Sequence, residues 1–270
     1  MGINVLFWNT HRNKQINYYL KQIIEDRRCN FIVLTEYEDS MEGLCNELSR
    51  VGNEYHPHEI FGCKRIMIIA NCCYGFTPIQ GDSHYGICHV TIWGNEYIIA
   101  GVHFPSKIYR HGEDRQETTA RILSADLLRA ETDYACRNTI VIGDFNANPF
   151  EKSLNGVDCL HAISDRRIAI ALEKRSFCEK DYRMLYNPMW NLLGDTCLCG
   201  GSYFYTPNGH ESYYWNMFDQ VLLHPQLINQ FDHDSLEIVT NAGANCLLTK
   251  NGRPDEKISD HLPIFFSLKE

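Results

Sequence analysis

The stretch GDFN at positions 143–146 sets a glycine, a carboxylate and an amide directly after the short apolar run from Thr139 to Ile142. Other apolar runs stop the same way. Asn9 follows INVLFW, Glu36 follows FIVLT, His103 follows EYIIAGV, Asp219 precedes QVLL, and Asp260 with His261 precedes LPIFFSL. Each position has a local explanation: Gly, Asp and Asn make turns, Asp219 can bond nearby backbone, Glu36 in TEYED suits a solvated loop, and Asp260-His261 can close a strand before Pro263. A separate local reason for every one of them is less economical than a shared one, in which several strand ends meet at one rim.

Such a rim has a definite chemistry. Carboxylate and amide oxygens suit a hard divalent cation, Mg²⁺ or Mn²⁺, which keeps several waters and shares its coordination with a substrate phosphate. The cation polarises a phosphoryl oxygen while an aspartate orients or deprotonates the attacking water. Histidines donate to a non-bridging oxygen or to the leaving group, and an aspartate behind one of them fixes its tautomer and favours its protonated form. Phosphodiester hydrolysis is the reaction these types fit.

The elements that must position these groups are mostly strands. INVLFW (3–8) is followed by a helix capped by Asn13, with Ile16, Tyr19, Leu20, Ile23 and Ile24 at helical spacing. FIVLTE is a second buried strand, and a helix covers 41–50. EYHPHEIF, RIMIIAN, GICHVTIW and EYIIAGVHF, over 54–104, read as antiparallel sheet divided by turn residues. A long helix over 112–135 carries Ala120, Leu123, Leu127, Ala130 and Tyr134 on one face. After the 139–143 strand comes a mainly helical stretch to about 193, and GSYFYT, NMFDQVLL, SLEIVT and LPIFFSL supply further strands. The expected fold class is α+β: two packed, mainly antiparallel β-sheets flanked by helices, in four layers α/β/β/α. No linker composition divides the chain, so one domain is expected over 1–270.

Composition sets further bounds. With 44% hydrophobic and 22% charged residues, the sequence reads as an ordinary globular chain rather than a disordered or repeat protein. No signal-peptide pattern and no membrane-length apolar run is visible, which makes a cytoplasmic location the expectation. The 12 cysteines are scattered and are expected to be reduced; Cys72-Cys73 and Cys197/Cys199 are too closely spaced for ordinary structural zinc. A net charge of −9 argues against a nonspecific polyanion binder, although clustered carboxylates around a cation account for part of it.

Taken in order, Asn9, Glu36, HFPSK, GDFN, FDQVLL and the terminal SDHLP resemble the endonuclease/exonuclease/phosphatase superfamily, the deoxyribonuclease-I-like proteins, over nearly the whole chain. The resemblance implies Glu36 as principal metal ligand, with Asn9 beside it and Asp260 holding or bridging to a second ion. It implies Asp144 and Asn146 as the water-activating and phosphate-binding pair, and His261 as a contact to the scissile phosphate, oriented by Asp219. His103 matches members with a histidine after this strand, and Lys107 in the same loop would meet a phosphate. Two positions depart from the pattern: Thr35 stands where many members have Gln before the metal-binding Glu, and His11 stands where repair-type members often have an acid.

The implied function is divalent-metal-dependent phosphodiester hydrolysis, most simply of DNA or RNA. An alternative substrate is a small phosphoester: a nucleotide-like molecule, an inositol phosphate or a lipid headgroup. A third reading, a non-catalytic module, is disfavoured because the Asp, Asn and His positions are all present. The stretch GSYFYTPNGHESYYWNMF could offer stacking platforms to bases, with half its aromatics facing the core by strand alternation. The pairs at 166–167 and 174–175 read as a solvated helix face, and YNPMW (186–190) as a helix or turn anchor.

Overall fold

A computed structural model of the chain describes residues 2–49, 54–71, 73–108, 111–195, 198–207 and 213–269; Arg50, Cys72, Cys197 and 208–212, on which some expectations fell, lie outside them. The apolar runs fold as strands and the amphipathic runs as helices. The first half comprises β1 (Ile3–Asn9), α1 (Asn17–Arg27), β2 (Phe31–Thr35), α2 (Met41–Ser49), β3 (His56–Ile60), β4 (Cys63–Ala70), β5 (Cys73–Gly81), β6 (Tyr85–Ile92) and β7 (Asn95–His103). Next come α3 (Gly112–Asp133), β8 (Thr139–Asp144), α4 (Lys152–Asn155), β9 (Ala162–Ile163), α5 (Arg166–Leu172), β10 (Lys174–Phe177), β11 (Lys180–Arg183) and β12 (Leu185–Tyr186). The remainder is β13 (Tyr203–Phe204), β14 (Trp215–Asn216), β15 (Asp219–Leu223), β16 (Phe231–Ile238), β17 (Asn241–Ala242), β18 (Asn245–Cys246) and β19 (Ile264–Leu268).

Two large sheets dominate. A 6-stranded sheet has the order β16-β19-β1-β2-β4-β3 and a 7-stranded sheet the order β5-β6-β7-β8-β15-β12-β9. Most neighbours are antiparallel, with parallel pairs at β1/β2, β7/β8 and β12/β9. Strand alternation assigns the faces. Ile3, Val5 and Phe7 of β1 join Val33, Ile99, Ile142 and Val221 in the core between the sheets. Leu6 and Trp8, pointing the other way, pack with Leu20, Ile23, Leu44 and Leu48 of α1 and α2. Ile98 and Val141 meet Ala120, Leu123, Leu127 and Ala130 of α3 on the far side of the second sheet. Each fully buried Leu, Ile or Phe here contributes roughly 1.5–3 kcal/mol. The result is the α/β/β/α sandwich that the periodicities implied.

Several elements differ from the sequence reading. Asn13 does not cap α1; its side chain accepts from the Gln15 N–H at 2.8 Å and donates to the Ile258 carbonyl at 2.9 Å, and the helix begins at Asn17, whose N–H bonds Asp39. The strands of 54–104 pair antiparallel as expected but divide between the sheets: β3 and β4 belong to the first and β5, β6 and β7 to the second. β5 was not expected at all, because Gly75, Pro78 and Gly81 read as turn residues. It survives because it is an edge strand, where a missing N–H is tolerated. The stretch expected to be mainly helical holds only the short α4 and α5, and Lys174-Arg175 sits on the exposed β10/β11 hairpin rather than a helix face. Pro188–Leu192 is a 3₁₀ turn, as the YNPMW reading allowed, capped by Asn187.

Candidate active site

Sheet register explains how distant residues meet. β1 and β2 are parallel with Asn9 opposite Thr35, so Asn9 and Glu36 leave the first sheet on the same rim. β7 and β8 are parallel with His103 opposite Asp144, and antiparallel β15 starts where β8 ends, Asp219 opposite Asp144. The loop into β19 reaches the same rim, where Trp8 Nε1 donates to the His261 carbonyl at 2.9 Å and Ser259 Oγ donates to the Asn9 carbonyl at 2.8 Å. Gly143 is needed for close approach: a Cβ there would lie 2.0 Å from the Val102 carbonyl oxygen.

These residues line a cleft of about 1160 Å³ whose walls include Asn9, Glu36, His103, Asp144, Asn146 and His261. Asp260 and Lys107 also face it, while Asp219 lies behind His261, fully buried. Asp144 is 1% exposed and held from several sides. Its Oδ2 accepts from Asn9 Nδ2 at 3.0 Å and Asn146 Nδ2 at 3.2 Å, and its Oδ1 accepts from the Asn146 N–H at 2.8 Å. His261 Nδ1 sits 2.8 Å from Asp219 Oδ2, and its Nε2 lies 4.0 Å from Asp144 Oδ2. His103 Nε2 lies 3.5 Å from Glu36 Oε1 and 3.7 Å from Asp144 Oδ2, and its buried Nδ1 has no hydrogen-bond partner.

The protonation pattern is set by burial against charge. Burial disfavours the charged form of His261, but Asp219 and Asp144 outweigh it and raise the imidazole to about 10. Asp144 is raised, first by burial and then by Asp219, against the pull of His261. Burial dominates at His103, which is lowered to about 4 and is therefore neutral near pH 7. His261 is thus an imidazolium and His103 a neutral imidazole, beside a carboxylate whose ionisation is costly without a nearby cation.

Glu36 has a left-handed backbone, φ 50°, as do His11, Arg12 and Asn146 on the same rim. Such a conformation is strained for a glutamate. It is held because the Glu36 carbonyl accepts from the Arg12 N–H at 2.9 Å and Thr10 Oγ1 at 2.9 Å. Arg12 Nε also stands 3.3 Å from Glu36 Oε2. Asp260 Oδ1 lies 3.1 Å from His11 Nδ1, so His11 occupies the space beside it with a nitrogen base.

The donor set fits a divalent cation. Glu36, Asp144 and Asp260 line one wall, Asp144 is raised by burial and by Asp219, and among the described residues Asp144, Asp219 and His261 place ligand atoms within 4.8 Å of one another. Within that trio, however, Asp219 is committed to His261. Carboxylate oxygens, which hard cations prefer, are more accessible at Glu36 and Asp260. Asn9 is engaged at both ends, its Oδ1 accepting the His11 N–H at 3.1 Å and its amide donating to Asp144. Lys107 forms an ion pair with Glu151 and stands 6.0 Å from the Phe218 ring centre, so its charge is already partnered.

Sequence reasoning missed several wall residues. Arg12, Lys64 and Arg65 are exposed cations on the cleft, the last two brought there because β4 pairs antiparallel to β2 with Ile66 opposite Thr35. The charged start of RIMIIAN marked Arg65 alone. The aromatic stretch does not alternate as expected: β13 and β14 span two residues each, Tyr205, Tyr213 and Tyr214 are exposed, and Tyr203, Phe204, Trp215 and Phe218 are partly buried. Beneath the site, Gln116 of α3, 1% exposed, donates to the carbonyls of Pro105 and Asn146, both at 2.8 Å. Gln220 similarly donates to the Ala147 and Met217 carbonyls and accepts from Asn187 at 2.7 Å.

Neither a protein-family model nor a curated protein matches the sequence. Solved structures do. An AP endonuclease from Archaeoglobus fulgidus matches with TM-score 0.59 and 11% identity, covering 99% of this chain and 100% of that one. A truncated Caenorhabditis elegans TDP2 matches with TM-score 0.58 and 13% identity, covering 100% and 98%. The human Nocturnin catalytic domain, with bound sulfate, matches with TM-score 0.56 and 14% identity, covering 98% and 92%.

Proposed function

We propose, from a chain with the deoxyribonuclease-I-like fold of the endonuclease/exonuclease/phosphatase superfamily, a divalent-metal-dependent phosphodiesterase, most simply a nuclease, acting as one domain over 1–270. The observation that carries this reading is the placement of Asp144 4.0 Å from His261, whose other ring nitrogen is backed by Asp219 at 2.8 Å.

Glu36 would hold the cation, Mg²⁺ or Mn²⁺, with Asp260 and Asn9 beside it, and the bound ion would polarise the phosphoryl oxygen and offset charge in the displacement. Asp144, fixed by Asn9 and Asn146, orients the attacking water and takes its proton. His261, kept cationic by Asp219, donates to a phosphate oxygen as negative charge accumulates. Neutral His103 faces the same oxygens from the Glu36 side, and Asn146 would contact the phosphate by exchanging its bond to Asp144 or to the Phe104 carbonyl. Lys107 would join only by exchanging Glu151 for a phosphate.

A polynucleotide substrate is supported by structural neighbours that act on nucleic acid, one of them a Danio rerio TDP2 complexed with a single-strand DNA product. The net charge of −9 favours the second reading, a small phosphoester. Cys29, Cys88 and Cys136 carry free thiols, which suits a reducing, cytoplasmic location, and among the described residues no helix is long and apolar enough to cross a membrane. The test is to incubate the wild type and Asp144→Ala with DNA, RNA and a panel of small phosphoesters, each with Mg²⁺, Mn²⁺ or chelator. Metal-dependent cleavage lost in the variant is expected. Folded wild type that cleaves nothing with either metal defeats the proposal.

A further inference from the structure

We infer that the cleft takes a single strand of nucleic acid, gripping phosphates on one flank of the catalytic residues and stacking bases on the other. This rests on the proposed phosphodiesterase reading and specifies its substrate class.

The flanks follow from sheet order. In the first sheet β4, β2, β1 and β19 lie side by side. Lys64 and Arg65 stand at the start of β4, Glu36 at the end of β2, and Asn9 and then Arg12 beyond the end of β1. The last of the four strands is entered through His261. Outside it the backbone of Tyr203 bridges to His261. Lys64 and Arg65 therefore stand on the β4 side of the reacting groups and Tyr203, Tyr205 and Tyr213 on the β19 side, all on the same cleft. Lys64 and Arg65 make no ion pair among the described residues.

The aromatic flank is a graded platform. Tyr203 packs against His261 with ring centres 4.7 Å apart and stacks on Phe218 at 5.1 Å and 22°. Farther out, Tyr205 and Tyr213 are 45% and 48% exposed while lining the cleft. Exposed ring faces can stack with bases only if those bases are unstacked from their own neighbours, as in a single strand. A duplex hides its base faces and presents two phosphate ribbons, which call for a broad basic surface. This chain carries a net charge of −9, and of the cations lining the cleft Arg12 and Lys107 already pair with Glu36 and Glu151, which leaves Lys64 and Arg65 on the β4 flank for phosphate. Small phosphoesters would leave the outer tyrosines without an occupant.

The test measures binding in chelator, where turnover is suppressed, using a fluorescent 12-mer single-stranded DNA, the same sequence as duplex, and a 12-mer of base-free sugar phosphates. The single strand is expected to bind about tenfold or more tightly than either comparator. Tyr205→Ala and Tyr213→Ala, both at exposed positions, should each weaken single-strand binding about 5- to 150-fold, the factor equivalent to 1–3 kcal/mol per stacked base. They should leave the base-free polymer unaffected. Lys64→Ala and Arg65→Ala should weaken both polymers and each flatten the single-strand salt slope by about 0.7. Equal binding of duplex or base-free polymer, or tyrosine variants that bind the single strand like wild type, overturns the inference. Because binding is read without hydrolysis, its failure is separable from failure of the phosphodiesterase reading.

Discussion

Gln116 offers a demanding prediction, because it never faces substrate. It projects from α3 beneath the rim and its amide nitrogen holds two carbonyls at 2.8 Å, Pro105 in the loop after His103 and Asn146 in the loop after Asp144. Gln116→Leu keeps nearly the same volume but leaves both carbonyls without this donor. One of the two hydrogen bonds is buried and the other partly buried. An unsatisfied buried acceptor costs about 1–3 kcal/mol and a partly solvated one less, giving a loss of about 2–4 kcal/mol. For a chain of this size that is a fall in melting temperature of about 4–15 °C. The two loops also lose their common tether, and a misplacement of about 1 Å between reacting groups costs about a hundredfold in rate. Urea melts and steady-state kinetics would be run beside Thr118→Ala, an exposed position on the same helix whose hydroxyl bonds only the Asp114 carbonyl. The expected result is a lower kcat with KM little changed, measured well below the melting point. A Gln116→Leu protein as stable and as active as wild type would refute the reasoning that α3 holds the two loops in register.

Further expectations concern titration and metal. Burial raises Asp144 from 3.8 to about 7, so in metal-free protein its ionisation opposes folding. That penalty is absent at low pH, grows as pH rises from about 4 to about 7, and persists above. Asp144→Asn in chelator should therefore be more stable than wild type at pH 8 by about 1–3 kcal/mol and lose that advantage near pH 4, although the same substitution abolishes catalysis. His261 runs the opposite way: its raised value, about 10 against 6.5, contributes stability that is complete below about 6.5, declines above it and is gone beyond about 10. Asp219→Asn in chelator should cost about 3–5 kcal/mol at pH 6, with the gap to wild type closing toward pH 10, as equilibrium unfolding across that range would show.

The sandwich was legible because β1, β2, β7 and β8 are uninterrupted apolar runs buried on both faces, and because α3 repeats its small and aliphatic residues at helical spacing. Their polar termini were legible as residue types at strand ends, but the parallel pairing of β1 with β2 and of β7 with β8, which sets Asn9 near Glu36 and His103 opposite Asp144, was not, because alternation and turn residues pointed to mainly antiparallel sheets. Edge and surface elements left weaker marks. Pro78 and two glycines concealed β5, whose place depends on its neighbour β6 rather than on its own propensity. The hairpin of β10 and β11 is charged and exposed, so it carries no apolar period to read. Asn13 had the right type for a helix cap, but the Ile258 carbonyl, more than two hundred residues away in sequence, claims its amide. Such tertiary competition leaves no local trace, and the same holds for Gln116 and for the cations that β4 delivers to the cleft.

On the proposed function, Glu36 would hold a divalent cation at these strand ends, in front of Asp144 and His261. Crystals soaked in Mn²⁺ would be measured for anomalous scattering. An anomalous peak is expected within about 2.5 Å of a Glu36 carboxylate oxygen, absent in Glu36→Gln. A peak seated instead between Asp219 and His261, or no peak on the rim in crystals of a protein that hydrolyses phosphodiesters with Mn²⁺, would contradict it.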